Sequence, residues 1–217
     1  MGSGSYSINS TVFSTPYMLG QFHMHWGNSS SKGSEHFIDG KQYPLEMHFV
    51  HYSTKYPDFD SAQNKFDGLA VLGLLFSVQS EDNINLKPIL DLLPNITESG
   101  ASVRCPVVSL LNLLPSNKAY YRYRGSLTTP ACYESILWSV FQETVGISES
   151  QLDQLRKNPY FAGTSKERTV DNFRPLQKLN GRVVSKMVVS VNDGLSIYSV
   201  TSYLLLLSLA GLTLLLG

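Results

Sequence analysis

Residues 21–27 read QFHMHWG, with two histidines one residue apart. Side chains of a β-strand alternate between its two faces, so a strand here places Gln21, His23 and His25 on one face. The other face then carries only Phe, Met and Trp and is expected to be buried. All five histidines of the chain lie within residues 23–51. Because imidazole is the commonest neutral metal ligand, this clustering indicates a metal site.

The run LEMHFVH at residues 45–51 repeats the alternation, with Glu46, His48 and Val50 on one face. If the two runs pair as neighbouring strands, His48 lies beside the first two histidines. Three imidazoles leave one position of a tetrahedral site open, which is typical of catalytic zinc rather than structural zinc. Gln21 and Glu46 each precede a histidine by two residues, so each is placed to bind that histidine's other ring nitrogen. The sequence therefore predicts a Zn²⁺ site with three ligands: His23, His25 and His48.

Ordinary buried or surface histidines are the alternative interpretation of any single His-x-His pair. The third histidine and the two polar neighbours favour the metal site over that alternative. His51 falls on the apolar face of its strand, and His36 belongs to a separate turn. Both are therefore predicted to be structural.

The composition is that of a globular protein, with 217 residues, 42% apolar and 16% charged. Seventeen basic and seventeen acidic residues cancel, and no basic stripe indicates nucleic-acid binding. Short aromatic or β-branched runs recur between Gly, Pro, Asn and Ser, and they predict strands: HFVHY, LAVLGLLFSV, YYRYRGSL, SILWSVF and RVVSKMVVSV. Helical spacing occurs only at residues 85–93 and 148–157. The pattern predicts a mainly β (α+β) protein with small peripheral helices.

Six motifs follow one another in the order seen in α-class carbonic anhydrases: QFHMHWG, GSEH, EMHFVH, LAVLG, YRGSLTTP and NFRPLQ. The chain resembles this family over residues 21–191, and in particular its GPI-anchored, extracellular, membrane-associated members. The resemblance implies a large twisted, mostly antiparallel sheet with zinc at the base of a conical cleft. It also implies that residues 1–191 form a carbonic anhydrase domain that lacks its N-terminal portion.

The activity implied by the resemblance is the reversible, zinc-dependent hydration of carbon dioxide to bicarbonate and a proton by zinc-bound hydroxide. Thr128 matches the catalytic hydroxyl that accepts the proton of that hydroxide, and Glu35 matches the carboxylate that accepts from Thr128. Gln21, Glu46 and the backbone of Asn172 match the groups that orient the zinc ligands. The apolar wall for carbon dioxide, with an adjacent contact for bicarbonate at Thr129, matches five residues: Val50, Val71, Leu127, Ile136 and Trp138. Tyr123 and Arg174 match structural positions.

Two other functions stay open at this point. One is a truncated or catalytically impaired surface-binding module with this fold, and the complete histidine triad favours the enzyme over it. The other is a zinc hydrolase acting on esters; the His-Glu-x-x-His helix of a dedicated peptidase is absent. No spare histidine is available to carry protons to solvent, so turnover is expected to be slow at low buffer concentration.

The C-terminus ends in a leucine-rich stretch, residues 203–217, after a moderately polar spacer at residues 195–202. Small residues at 192–194 precede the spacer, and this order is typical of a GPI-attachment signal. A short membrane span is the alternative, and a buried core helix is less favoured because the stretch has no polar face. Residues 192–217 are therefore predicted to be a GPI-attachment signal or a short membrane segment, which places a full-length form with a signal peptide on the extracellular face of the plasma membrane. Three N-glycosylation sequons agree with an extracellular location: those of Asn9, Asn28 and Asn95.

The two cysteines, Cys105 and Cys132, can pair with each other, pair outside the chain or stay free. Residues 1–20 contain no apolar segment typical of a signal peptide. A GPI-attachment signal is inconsistent with an N-terminus that has no signal peptide. The sequence is therefore interpreted as a truncated gene model or a splice form of a longer secreted protein.

Overall fold

The structure is a computed structural model that describes residues 6–10, 13–96, 101–105, 109–157 and 168–188, together with the backbone of three later strands. The strands of this part of the chain are β1 (Ser7–Asn9), β2 (Tyr17–Trp26), β3 (Leu45–Ser53), β4 (Leu69–Gln79), β5 (Ser102–Cys105), β6 (Tyr120–Gly125), β7 (Ile136–Phe141), β8 (Val145–Ser148), β9 (Ser185–Met187), β10 (Ser196–Tyr198), β11 (Leu205–Ser208) and β12 (Thr213–Leu216). The helices are α1 (Phe59–Ala62), α2 (Lys87–Leu90) and α3 (Glu149–Lys157), with two 3-10 helices at Leu93–Asn95 and Leu110–Leu113.

One large mixed sheet holds these strands, in the order β5-β11-β12-β2-β3-β4-β7-β6-β9. Its centre, β2-β3-β4, is antiparallel, whereas β4 runs parallel to both β7 and β8. A parallel pair needs a long crossover connection, and the chain between β4 and β7 supplies it. The prediction of a mainly β fold built on a large sheet with small helices is confirmed, and the parallel pairs are confined to β4.

The two helical patterns of the sequence also correspond to helices. The pattern at 85–93 forms α2 and the 3-10 helix that follows it, and the pattern at 148–157 forms α3. The single turn α1 was not predicted, because four residues are too few to show a helical period. Asp58 is its N-cap residue, and the Asp58 carboxylate accepts a hydrogen bond from the backbone N–H of Ser61.

The apolar side chains pack in two clusters. The larger cluster contains Phe22, Met24 and Trp26, the alternate residues of β2 that were predicted to be buried, and all three are at most 1% exposed. The smaller cluster forms around Val50 of β3 and Trp138 of β7. Because β3 contributes to both clusters, nearly all of its residues are buried. The strand that carries His48 is therefore fixed from two sides.

Two strands of the leucine-rich C-terminal stretch join the sheet by their backbones. β12 pairs with β2, with Leu214 opposite Phe22 and Leu215 opposite Gln21, and β11 pairs with β5. The predicted attachment residues, 192–194, lie outside the described residues. Within the described part of the chain, no helix has the length and apolar character needed to cross a membrane. The domain boundary after residue 191 and the lipid anchor stay predictions.

The three sequon asparagines are exposed: Asn9, Asn28 and Asn95. Both cysteines are free thiols, with Cys105 buried and Cys132 partly buried. Burial disfavours the thiolate and raises the pKa of Cys105 to about 11. The structure therefore does not contain the Cys105–Cys132 pairing that the sequence left open.

Candidate metal centre

The antiparallel register of β2 and β3 brings three histidines together. His23 lies directly opposite His48, and His25 follows two residues later on the same face. The three ring centroids are between 4.8 and 5.1 Å apart. One nitrogen from each ring lies within 4.8 Å of the others, close enough for all three to bind a single metal ion. The convergence predicted from strand alternation is present in the structure.

The second nitrogen of each ring is held by an oxygen. Gln21 Oε1 lies 2.7 Å from His23 Nδ1, and Glu46 Oε1 lies 2.6 Å from His48 Nε2. The carbonyl oxygen of Asn172 lies 2.8 Å from His25 Nδ1. An oxygen at one ring nitrogen fixes the proton there and leaves the other nitrogen as a lone-pair donor. The nitrogens that remain to bind a metal are Nε2 of His23, Nε2 of His25 and Nδ1 of His48, and the His23 Nε2–His48 Nδ1 distance is 3.2 Å.

The surroundings also favour the neutral form of the His23 and His25 rings. Burial lowers the pKa of His23 well below its ordinary value, and the neighbouring His48 and His25 lower it further. Burial and His48 likewise lower the pKa of His25. A neutral imidazole is the form that binds a metal ion, so the site does not have to lose protons near neutral pH before it takes up a cation.

Glu46 is the most heavily bonded group beside the histidines. Its Oε1 accepts from His48 Nε2 and from His36 Nδ1 at 2.5 Å, and its Oε2 accepts from the backbone N–H groups of Glu35 and His36, both at 2.8 Å. Burial opposes ionisation of this carboxyl, yet His36 and His48 hold its pKa well below the ordinary value. Glu46 is therefore a buried carboxylate with four donors, which orients His48 and fixes the turn before it.

His36 contacts this centre, although its position in the sequence predicted only a structural histidine in a separate turn. Its Nε2 lies 2.6 Å from the hydroxyl of Tyr123, and its Nδ1 bonds Glu46. A second possible metal group, His36 with Glu46 and His48, follows from this proximity. In that group His36 Nδ1 and His48 Nε2 both donate their protons to Glu46, so the three histidines of β2 and β3, whose facing nitrogens have no oxygen acceptor, form the better candidate.

The segment around Asn172 is hydrogen-bonded to the end of β2. Asn172 Oδ1 accepts from the backbone N–H of Trp26 at 2.7 Å, and its Nδ2 donates to the carbonyl of Met24 at 3.2 Å. The backbone N–H of Asp171 donates to the carbonyl of Trp26 at 2.9 Å. These contacts on both sides of His25 explain why the Asn172 carbonyl reaches the His25 ring.

Glu35 and Thr128 line one cavity of about 350 Å³, next to the metal centre. Glu35 Oε1 accepts from the backbone N–H of Arg174 at 2.7 Å. Glu35 Oε2 is buried without a hydrogen-bond partner and lies 3.4 Å from His25 Nε2. The structure thus leaves one carboxylate oxygen of Glu35 free between the histidines and the cavity. The catalytic roles of Glu35 and Thr128 stay predictions.

The residues predicted to form an apolar wall lie together beside the histidines. Val50 of β3, Val71 of β4 and Trp138 of β7 are side by side in three adjacent strands. Ile136 belongs to the same buried cluster, and Leu127 packs against it. The Trp138 ring centroid is 4.7 Å from that of His48, so the wall borders the metal centre. Thr129 is exposed at the neighbouring turn.

Comparison with known proteins agrees with this geometry. The sequence model of the eukaryotic-type carbonic anhydrases matches residues 2–188. The chain belongs to this carbonic anhydrase family. It is 41% identical over 180 residues to carbonic anhydrase 15 of Mus musculus, an alignment that covers 79% of this chain and 55% of the mouse protein. This family member thus spans about half the length of the mouse relative.

Proposed function

We propose that this carbonic anhydrase family member binds Zn²⁺ and catalyses the reversible hydration of carbon dioxide to bicarbonate and a proton. The observation that carries the proposal is the convergence of three imidazoles, each with its second nitrogen held by an oxygen. Three nitrogen ligands suit zinc and leave one position open for a reactant. Zinc supplies Lewis-acid chemistry there, which makes hydroxide available as a nucleophile near neutral pH.

Glu35 and Thr128 are proposed to aim the nucleophile. Arg174 holds one carboxylate oxygen of Glu35, and the other has no partner. We propose that Thr128 donates its hydroxyl proton to that free oxygen. Its own oxygen then turns only lone pairs towards the centre, so it accepts a proton from an O–H group and rejects a bare acceptor.

The wall formed by Val50, Val71, Ile136, Trp138 and Leu127 is proposed to hold carbon dioxide. The substrate is small and carries no charge, so an apolar surface beside the metal suits it. Bicarbonate is charged, and the same surface offers it no hydrogen bond. Thr129, at the exposed turn, is proposed as its contact on the way out. The wall therefore favours binding of the substrate over retention of the product.

Protons are proposed to leave through water and buffer. Every histidine of the chain lies within residues 23–51, and three of the five are assigned to the metal. We predict that kcat for hydration rises with imidazole buffer concentration at constant pH and ionic strength. A turnover number independent of buffer would contradict this route. Stopped-flow measurement with a pH indicator distinguishes the two outcomes.

The decisive experiment combines zinc content with carbon dioxide hydration, measured on this chain and on His48→Ala. The matched control is His51→Asn, which changes a histidine outside the triad and retains a donor near the position of Nδ1. We expect His48→Ala to lose bound zinc and activity together, and His51→Asn to keep both. Equal activity in His48→Ala and the unchanged chain would refute the proposal. Stoichiometric zinc without hydration would instead support the impaired binding module.

We also propose that the protein is held at the cell surface through a lipid attached near residues 192–194. This location is supported by the leucine-rich stretch after a polar spacer and by the exposure of Asn9, Asn28 and Asn95. Expression in secretory cells behind an added signal peptide, followed by glycosidase digestion and phosphatidylinositol-specific phospholipase C, tests it. Release of the protein by the phospholipase is expected. Retention on the cells after digestion would contradict a GPI anchor.

A further inference from the structure

A second cleft, of about 390 Å³, opens where the end of β6 meets residues 174–182, and it shares Arg174 and Arg182 with the lining of the cavity beside the metal centre. Four cationic side chains line it: Arg124, Arg174, Lys178 and Arg182. Glu134 is the one carboxylate among its lining residues. The whole chain has no net formal charge, so the excess of cations over carboxylates in this cleft is a local feature.

The four cations have no acidic partner within ion-pair distance among the described residues. Arg124 Nη1 donates to the carbonyl of Phe66 at 3.0 Å, and Arg182 donates to the carbonyls of Lys178 and Leu179, both at 2.8 Å. These acceptors are neutral. Each guanidinium has five N–H donors, so most donors and all of the charge stay available to a ligand.

Neighbouring side chains also hold the guanidinium groups in place. The Arg124 guanidinium stacks 4.0 Å from the centroid of Phe66, and that of Arg182 lies 5.4 Å from the centroid of Tyr123. A planar guanidinium stacked on a ring keeps its edge free for a bidentate contact with an oxyanion. Ordering before binding reduces the entropy that a ligand must overcome.

We propose that this cleft binds a ligand that carries phosphate or sulfate groups. Several oxygens around one centre match several guanidinium forks, whereas a monovalent anion would leave most of the cations unpaired. None of the four cationic side chains touches the histidine triad, so binding is expected both with and without zinc. Pyrophosphate and a sulfated polysaccharide represent the two sources of such groups, a free ion and a polymer.

The test is calorimetric titration of the chain with inorganic pyrophosphate, and separately with heparin fragments, at low ionic strength. The variant Arg124→Gln/Lys178→Gln removes two exposed cations from the cleft. The control, Lys87→Gln/Lys157→Gln, removes the same charge from two exposed lysines elsewhere. We expect the cleft variant to weaken binding by about tenfold or more, because it loses charge-assisted contacts, and the control to change it by less than about threefold.

The outcomes separate the possibilities. Tight binding of pyrophosphate that the cleft variant loses would assign the site to a free ion. Binding of heparin alone, lost in the same variant, would assign it to a sulfated polymer. No binding of either probe, or equal losses in the cleft and control variants, would overturn the proposal. Binding that requires zinc would overturn it as well, because the anion would then lie on the metal.

Discussion

Replacing Glu46 with glutamine is the sharpest perturbation of the metal centre, because it removes charge and changes almost no volume. The carboxylate accepts four hydrogen bonds, from His48 Nε2, from His36 Nδ1 and from two backbone N–H groups. A glutamine side chain has one acceptor oxygen, so its NH₂ group must face two donors of the protein. At least two charge-assisted hydrogen bonds are lost.

The number of lost hydrogen bonds sets the expected loss of stability. Each such bond contributes about 1.5–3 kcal/mol, so Glu46→Gln is expected to destabilise the metal-free fold by about 3–6 kcal/mol. The loss of a carboxylate behind a metal-binding histidine typically weakens metal affinity by about 10- to 100-fold. Urea unfolding of the metal-free protein at pH 7 measures the first effect. Zinc competition with a chromophoric chelator measures the second.

The matched control is Glu149→Gln, which changes a carboxylate that also accepts several hydrogen bonds, from Ser30 and Arg156, but whose side chain is 54% exposed. It is expected to cost less than about 1 kcal/mol and to leave zinc affinity unchanged. If Glu46→Gln matched this control in both measurements, the buried carboxylate would not hold His48, and the reasoning would be refuted.

Three further predictions concern the stability of the fold and its affinity for zinc. Burial lowers the pKa of His51 to about 4, so the unfolded chain takes up a proton before the native chain does. The contribution of His51 to the free energy of unfolding should therefore fall by about 2 kcal/mol from pH 7 to pH 5. Urea unfolding at both pH values measures this fall, which should be absent in His51→Asn. A Cβ at Gly33, where φ is +150°, would lie 2.0 Å from the carbonyl oxygen of Pro44. Gly33→Ala should therefore lower the free energy of unfolding by about 3 kcal/mol in thermal unfolding. In the control Gly40→Ala, the added Cβ has no atom within 4 Å, and the loss should be about 1 kcal/mol. Asn172→Ala removes both side-chain bonds to β2 and should lower zinc affinity by about tenfold in chelator competition; unchanged affinity would show that the carbonyl stays in place without them.

The three histidines of the triad could be predicted from sequence because their relation is local. Strand alternation fixes which face each histidine of β2 and β3 occupies, and apolar residues on the opposite face confirm the period. Gln21 and Glu46 follow from the same rule, since each is two residues from the histidine that it bonds. The register that sets His23 opposite His48 then brings the two faces together.

His36 could not be placed in this way. Its contact with Glu46 depends on the path of the chain through Gly33, whose backbone lies against Pro44. No periodic pattern records such a turn, although the Glu-His pair of the GSEH motif was a signal that could have been followed. Asn172 and Arg174 lie more than 130 residues from their partners, so only the family resemblance indicated them.

The contact of His25 with Asn172 joins residues 147 positions apart, and this separation matters while the protein is being made. All three histidines emerge from the ribosome long before Asn172 is added to the chain. Until then, the Asn172 carbonyl cannot fix which nitrogen of His25 carries the hydrogen, and only the His23 and His48 rings have their orienting oxygens. The third ring therefore gains its orienting oxygen only after Asn172 has been added to the chain.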